Sequence, residues 1–111
     1  MMRSGIAVAA VLLLLWLVPA TAEEVVRFPS LDDNGADQPP TMIEGRLFRP
    51  VGEGRFPAVV GLHGCSGMFS RSTGLLTSLY RAWGNELAAQ GYVTLLVDSI
   101  GPRNHGEMCS I

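Results

Sequence analysis

A turn of small residues after an apolar run is the part of this 111-residue sequence best suited to chemistry. The run Ala58-Val59-Val60-Gly61-Leu62 leads directly into His63-Gly64-Cys65-Ser66-Gly67. A strand that ends in His-Gly and turns through small residues leaves backbone N–H groups free to face a ligand oxygen, as an acyl-transfer oxyanion hole requires. We therefore predict that the Cys65 N–H receives an oxyanion and that His63, Gly64, Ser66 and Gly67 form the loop around it.

Ser66 is not the predicted nucleophile of this turn. Gly64-Cys65-Ser66-Gly67 partly imitates the motif G-x-S-x-G, but Met68 stands where the second glycine belongs. We expect the Ser66 hydroxyl to stabilise the turn instead.

A second apolar run, Tyr92 to Val97, ends at Asp98 and is followed by Gly101-Pro102-Arg103. We predict a structural role for Asp98, either accepting backbone N–H bonds in the next turn or pairing with Arg103. Arg103 is the candidate for the wall of a substrate crevice, because the Gly-Pro pair would hold it rigidly where an anionic substrate arrives.

The elements that position these residues are predicted from apolar periodicity. We expect short strands at 24–28 and 41–49, the second as an antiparallel edge strand, then buried strands at 56–62 and 92–97. Leu76, Leu79, Trp83 and Leu87 recur at steps of three or four and predict a helix over 77–90 that lays this stripe on the sheet. Continuous apolar strands are typical of a parallel sheet covered by helices on both faces. A right-handed β-α-β crossover would bring both strand ends to one ligand-binding edge.

The first 22 residues have the three regions of a secretory signal. Arg3 is followed by 13 apolar residues, Ile6 to Val18, and by Pro19-Ala20-Thr21-Ala22. A membrane span takes about 20 apolar residues. We predict cleavage after Ala22, a mature domain of residues 23–111, no stable membrane insertion, and a periplasmic or secreted location.

The two cysteines, Cys65 and Cys109, are then predicted to form a disulfide, because pairing is the default in an oxidising compartment. Two alternatives stay open. Cys65 is a reactive thiol in one, and in the other both cysteines join His63 and His105 as zinc ligands.

The charge balance excludes one class of partner. The chain has ten acidic residues, eight arginines and no lysine. No basic stripe is available for phosphates, so we expect no nucleic-acid partner. We predict no cofactor and no metal, and a small-molecule ester or lactone as substrate.

Three segments in order resemble the dienelactone hydrolase-like family of the α/β-hydrolases: PAVVGLHGCSG at 57–67, YRAWGNELAAQGY at 80–92 and VTLLVDSIGPR at 93–103. The resemblance implies α/β architecture, here the N-terminal portion of an α/β-hydrolase fold, and an esterase-type parent enzyme. The family's nucleophile elbow, acid and histidine have no counterpart in the sequence, so we expect the 111-residue chain alone to be inactive. The family often has a glutamate where this chain has Gly64, which favours a broader ester or thioester substrate. A non-catalytic periplasmic binding protein and a small Cys/His metal-binding protein are the alternatives.

Overall fold

The computed structural model describes residues 23–32 and 34–110. The predicted signal peptide and its cleavage site lie outside these residues. In chain order the elements are the strands β1 (Glu23–Pro29), β2 (Met42–Phe48) and β3 (Ala58–Leu62), the helix α1 (Ser78–Ala89), the strand β4 (Val93–Asp98) and a 3-10 turn (Gly101–Arg103). No helix in the described ranges combines the length and the apolar character needed to cross a bilayer.

The strands form one mixed sheet in the order β1-β2-β4-β3. β1 and β2 are antiparallel, as are β2 and β4, whereas β3 and β4 run parallel with Val60 beside Leu95. The C-terminal ends of β3 and β4 therefore lie side by side at one end of the sheet, where the candidate residues follow each strand.

The predicted fold class, an N-terminal portion of an α/β-hydrolase fold with a right-handed β-α-β crossover, is wrong. The described residues form a small β-rich domain, a four-stranded mixed sheet with a single short helix. The reason lies in the coverage of β3, which was expected to be buried on both faces. Its side chains instead alternate between exposed and half-buried, and Val60 and Leu62 are 62% and 73% exposed. One helix covers one face of a sheet, so the apolar character of β3 does not report helices on both sides.

The predicted position of β2 at the sheet edge is also wrong. β2 lies between β1 and β4, and Ile43, Leu47 and Phe48 are buried. β1 forms that edge of the sheet. Its exposed Arg27 pairs with Glu44 across the strands at 3.1 Å, which suits a strand that faces solvent.

Helix α1 packs on the sheet through small residues, and the predicted stripe is buried only in part: Leu76, which precedes the helix, lies in the core and Leu87 is half-buried. Leu79 and Trp83 are exposed, whereas Gly84 and Ala88 are buried. The Phe48 ring lies where a side chain at position 84 would project, because a Cβ added to Gly84 would come within 2.5 Å of it. The resulting core contains Phe48, Met68, Leu76, Ala88 and Leu96. The chain leaves the helix through Gly91, which lies two residues after Ala89 and adopts a left-handed φ of 95°.

Candidate functional site

The loops that follow β3 and β4 meet at the end of the sheet, and His63 joins them. Its side chain is only 4% exposed. The ring nitrogen Nδ1 lies 2.7 Å from the carbonyl oxygen of Gly64, and Nε2 lies 3.1 Å from the Ser99 N–H and 2.9 Å from Ser99 Oγ. The predicted meeting of the two strand-end loops is therefore observed, with one buried imidazole between them.

The hydrogen bonds of His63 fix its tautomer. A carbonyl oxygen only accepts hydrogen bonds, so Nδ1 carries the ring hydrogen and donates it to Gly64. Nε2 then presents its lone pair to Ser99, which donates from its backbone N–H and can donate from its hydroxyl.

Two consecutive peptide groups of the exposed turn have hydrogen-bonded carbonyls and N–H groups without an acceptor among the described residues. The Gly64 carbonyl accepts from His63 Nδ1 and, at 3.0 Å, from the Gly67 N–H. The Cys65 carbonyl accepts from the Met108 N–H at 2.7 Å. No acceptor from the described part of the chain reaches the N–H of Cys65 or of Ser66. Because N–H and C=O point in opposite directions in a trans peptide, each N–H is turned away from the donors that hold its carbonyl.

The turn itself is closed by backbone groups. The Gly67 N–H bond to Gly64 closes it, and Gly67 adopts a left-handed φ of 76° that favours glycine. The Ser66 hydroxyl, predicted to stabilise the turn, makes no hydrogen bond to the described residues. Tyr80 on α1 anchors the start of the turn instead, since its hydroxyl accepts from the Gly64 N–H at 3.3 Å.

The predicted disulfide between Cys65 and Cys109 is confirmed. The two Cα atoms are 4.9 Å apart and the cysteines are 44 positions apart in sequence. On the chain-entropy estimate, closing a loop of this length stabilises the fold by about 4 kcal/mol. Both sulfurs are used in the bond, so neither serves as the reactive thiol or the zinc thiolate of the alternative interpretations.

A cavity of about 330 Å³ opens beside the turn. One wall is the segment 66–71, and the other contains Asp98, Ile100, Gly101, His105 and Gly106. Cys65 is not among the lining residues, so the cavity wall begins one residue later, at Ser66. Arg71, which the sequence did not identify as a site residue, and His105, which it offered only as a possible zinc ligand, both line this cavity.

Asp98 has the predicted structural role, through its backbone contacts. It is buried at the end of β4, and its Oδ1 accepts from the N–H groups of Ile100 at 3.2 Å and Gly101 at 3.0 Å. Gly101 lies so close that a Cβ there would overlap the Asp98 carboxylate. The same Oδ1 is 3.8 Å from His63 Nε2.

Arg103 contacts Asp32, Ser30 and Ser99 rather than Asp98. Its guanidinium donates to the Asp32 carboxylate, to the Ser30 hydroxyl at 3.1 Å and to the Ser99 carbonyl. The hydrogen bond from Arg103, with a further one from Ser30, lowers the pKa of Asp32. The structure thus places the predicted crevice residue in a clasp between the 30–32 loop and the 3-10 turn.

The end of the second loop is organised by Glu107. Its carboxylate accepts from the N–H groups of Cys109 at 2.6 Å and Ser110 at 3.2 Å, and from the Ser110 hydroxyl. These bonds, the Ser110 hydroxyl first, lower the pKa of Glu107. The carboxylate therefore favours the backbone arrangement in which Cys109 meets Cys65.

Fold and site together define a small β-rich domain with a pair of backbone N–H donors, at one end of its sheet, that no described residue accepts from. A comparison with known proteins finds neither a protein-family profile nor a curated protein that matches the chain. Of the residues that matter here, Ser99 was not predicted. A serine after a strand carries no signal of its own, and its contact with His63 spans 36 residues.

Proposed function

We propose that the turn 63–67 binds the oxyanion that develops during hydrolysis of a small ester or lactone. The observation that carries the proposal is the pair of unengaged N–H groups at Cys65 and Ser66. The carbonyls of the same two peptide groups, those of Gly64 and Cys65, both accept hydrogen bonds from within the protein. Preorganised N–H donors of this kind need no rearrangement as negative charge develops, which is why they stabilise the transition state of acyl transfer.

Three observations support the proposal. Hydrogen bonds to the Gly64 carbonyl polarise its peptide group and strengthen the Cys65 N–H as a donor. The disulfide and the bond from Met108 hold Cys65 on its other side, so the donor pair is restrained from both directions. The resemblance of three sequence segments to dienelactone hydrolases points to the same class of substrate.

We also propose that the protein is exported, with residues 1–22 as its signal. Disulfides persist mainly in oxidising compartments, and the Cys65–Cys109 bond supports this location.

The test is a titration with methylphosphonate, a tetrahedral anion that imitates the oxyanion. Binding is monitored through the amide signals of the ¹⁵N-labelled protein. We expect saturable downfield shifts of the Cys65 and Ser66 amide protons, and no such shifts with the neutral dimethyl ester of the same acid. Shifts confined to other residues, or equal shifts with the neutral ester, would contradict the proposal.

A matched pair of variants separates the N–H from the disulfide. Cys65→Pro with Cys109→Ala removes the donor, whereas Cys65→Ala with Cys109→Ala loses the same disulfide and keeps the donor. One oxyanion-hole donor is worth about 100-fold to 1,000-fold in rate in well-studied enzymes. We therefore expect the proline variant to bind methylphosphonate more weakly than the alanine variant. Equal affinities would show that the Cys65 N–H is not the donor.

A further inference from the structure

We propose that Ser99 and His63 are a nucleophile and general base that this chain itself supplies for ester hydrolysis. The inference rests on the proposed function and goes beyond it, because the sequence motif of the resembled family offers no nucleophile here. It starts from the 2.9 Å distance between Ser99 Oγ and His63 Nε2, which falls within the range of about 2.6–3.2 Å expected for a nucleophile and its base.

The imidazole is in the tautomer that a base requires. Nδ1 is committed as a donor to the Gly64 carbonyl at 2.7 Å, so the lone pair on Nε2 faces Ser99, whose N–H lies at 3.1 Å and whose hydroxyl lies closer, at 2.9 Å. A third group that orients the base is the usual companion of a serine and histidine pair. Here a backbone carbonyl takes that position.

Asp98 provides the negative charge that an imidazolium needs. Its Oδ1 is 3.8 Å from His63 Nε2, and the two side chains are 10% and 4% exposed. When Nε2 gains a proton, this carboxylate lies close enough in a largely water-excluded setting to stabilise the new charge. The carboxylate is itself held by the Ile100 and Gly101 N–H groups, so its position is fixed before the reaction.

The pair lies at the same end of the sheet as the other parts of the site. Asp98 and Ile100, the neighbours of Ser99 in sequence, line the 330 Å³ cavity opposite Ser66. Ser99 itself is partly exposed. The hydroxyl, the base, the carboxylate and the two free N–H groups thus belong to the two loops that His63 joins.

The chemistry balances without a co-reactant other than water. Ser99 Oγ forms a bond to the acyl carbon while its proton passes to His63 Nε2, and the carbonyl oxygen becomes an oxyanion. The alcohol then leaves with that proton as its bond to the acyl carbon breaks, giving an acyl-serine. Water attacks the acyl-serine with His63 again as base, and the carboxylic acid and the free hydroxyl are released.

The experiment is labelling of the full chain with a fluorophosphonate probe, followed by intact mass and peptide mapping. We expect one adduct, on Ser99. Because a general base contributes about 100-fold to 10,000-fold, His63→Gln should slow the labelling at least 100-fold. Ser99→Ala should abolish the adduct, and Ser78→Ala, which changes an exposed serine on helix α1 away from the site, should leave it unchanged.

Folding of each variant is checked by circular dichroism and by the amide response to methylphosphonate. Ser99→Ala keeps the backbone N–H that bonds to His63, so the loop geometry and the methylphosphonate response should persist. An adduct on Ser66 or on no serine, in protein whose Cys65 and Ser66 amides still respond, would overturn the Ser99–His63 pair and leave the oxyanion loop standing. Loss of the amide response in the unmodified protein would overturn the proposed function instead.

Discussion

At the scale of single residues, the end of β4 depends on a contact that leaves no room for a side chain. The Asp98 carboxylate sits where the Cβ of residue 101 would lie, and it accepts the N–H groups of Ile100 and Gly101. A buried carboxylate that loses such partners retains its desolvation cost, so the glycine protects both the fold and the position of Asp98 beside His63.

Gly101→Ala is expected to lower the free energy of unfolding by about 1–3 kcal/mol, because the new methyl group displaces Asp98 from its two N–H donors. Urea unfolding of the oxidised protein measures this. Gly106→Ala is the matched control, since it lies in the same loop with no atom within 4 Å of its added Cβ. We expect that control to stay within about 0.5 kcal/mol of the unmodified protein. Equal effects of the two variants would contradict the steric explanation.

Glu107 predicts a pH dependence of the second loop. Its pKa in the folded protein is lowered by bonds from Ser110 and Cys109. The stabilisation it gives is therefore complete above the ordinary glutamate pKa of about 4.3 and is lost as the pH falls through the lowered value. We expect the Cys109 and Ser110 amides to lose protection from hydrogen exchange, relative to their intrinsic exchange rates, as the pH falls through that range. In Glu107→Gln the change should be absent, and an identical pH profile in that variant would rule out the carboxylate as its cause.

The residue scale also shows what sequence reasoning captured of the site. The His-Gly turn and the cysteine pair were identifiable because each has a local or compositional signal: an apolar run before small residues, and two cysteines in all. Ser99 and Arg71 were not, because their relevance comes from distances across the fold. The partner of Arg103 was also mispredicted, since Asp32 is 71 residues away and no spacing rule selects it over Asp98.

At the scale of elements, the meeting of α1 with β2 is set by the pair Gly84 and Phe48. Alanine normally stabilises a helix interior by about 1 kcal/mol relative to glycine. Here the added Cβ would lie 2.5 Å from the Phe48 ring, so overpacking of about 1–3 kcal/mol competes with that gain. Whether Gly84→Ala raises or lowers the free energy of unfolding therefore shows whether the close approach of helix and sheet contributes to stability.

Gly84→Ala is expected to destabilise the protein by up to about 2 kcal/mol, as overpacking exceeds the gain in helix propensity. Thermal and urea unfolding measure it. In a Phe48→Leu background the obstructing ring is gone, and the same substitution should cost at least about 0.5 kcal/mol less. Stabilisation by Gly84→Ala in the unmodified background would show that the helix moves away from β2 at little cost.

The elements themselves were predictable to within a few residues, and their layering was not. The helix predicted at 77–90 is observed at Ser78–Ala89, and the strand predicted at 92–97 at Val93–Asp98. Local periodicity encodes these. Which helix face is buried depends on Phe48, a residue 36 positions before Gly84, and whether a strand is covered on both faces depends on how many helices pack on the sheet. Neither is a property of the segment itself.

At the scale of the whole molecule, the two edges of the sheet differ in character. β1 carries Glu23, Glu24 and Arg27 and ends at Pro29, features that discourage pairing with another strand. β3, at the other edge, has the sequence AVVGL with no charge and no proline. Its unpaired backbone groups and exposed Val60 and Leu62 form an edge of the kind that associates.

We therefore expect the protein to self-associate with rising concentration through β3, and Val60→Lys to suppress this by adding a charge to the edge strand. Sedimentation velocity from low to high micromolar concentration measures the effect. Val51→Lys is the matched control, because Val51 is 63% exposed against 62% for Val60 and lies in the loop before β3. It makes the same change of net charge away from the strand. If both variants suppress association equally, the change in net charge is responsible. The unpaired edge of β3 is then not the surface through which the protein associates.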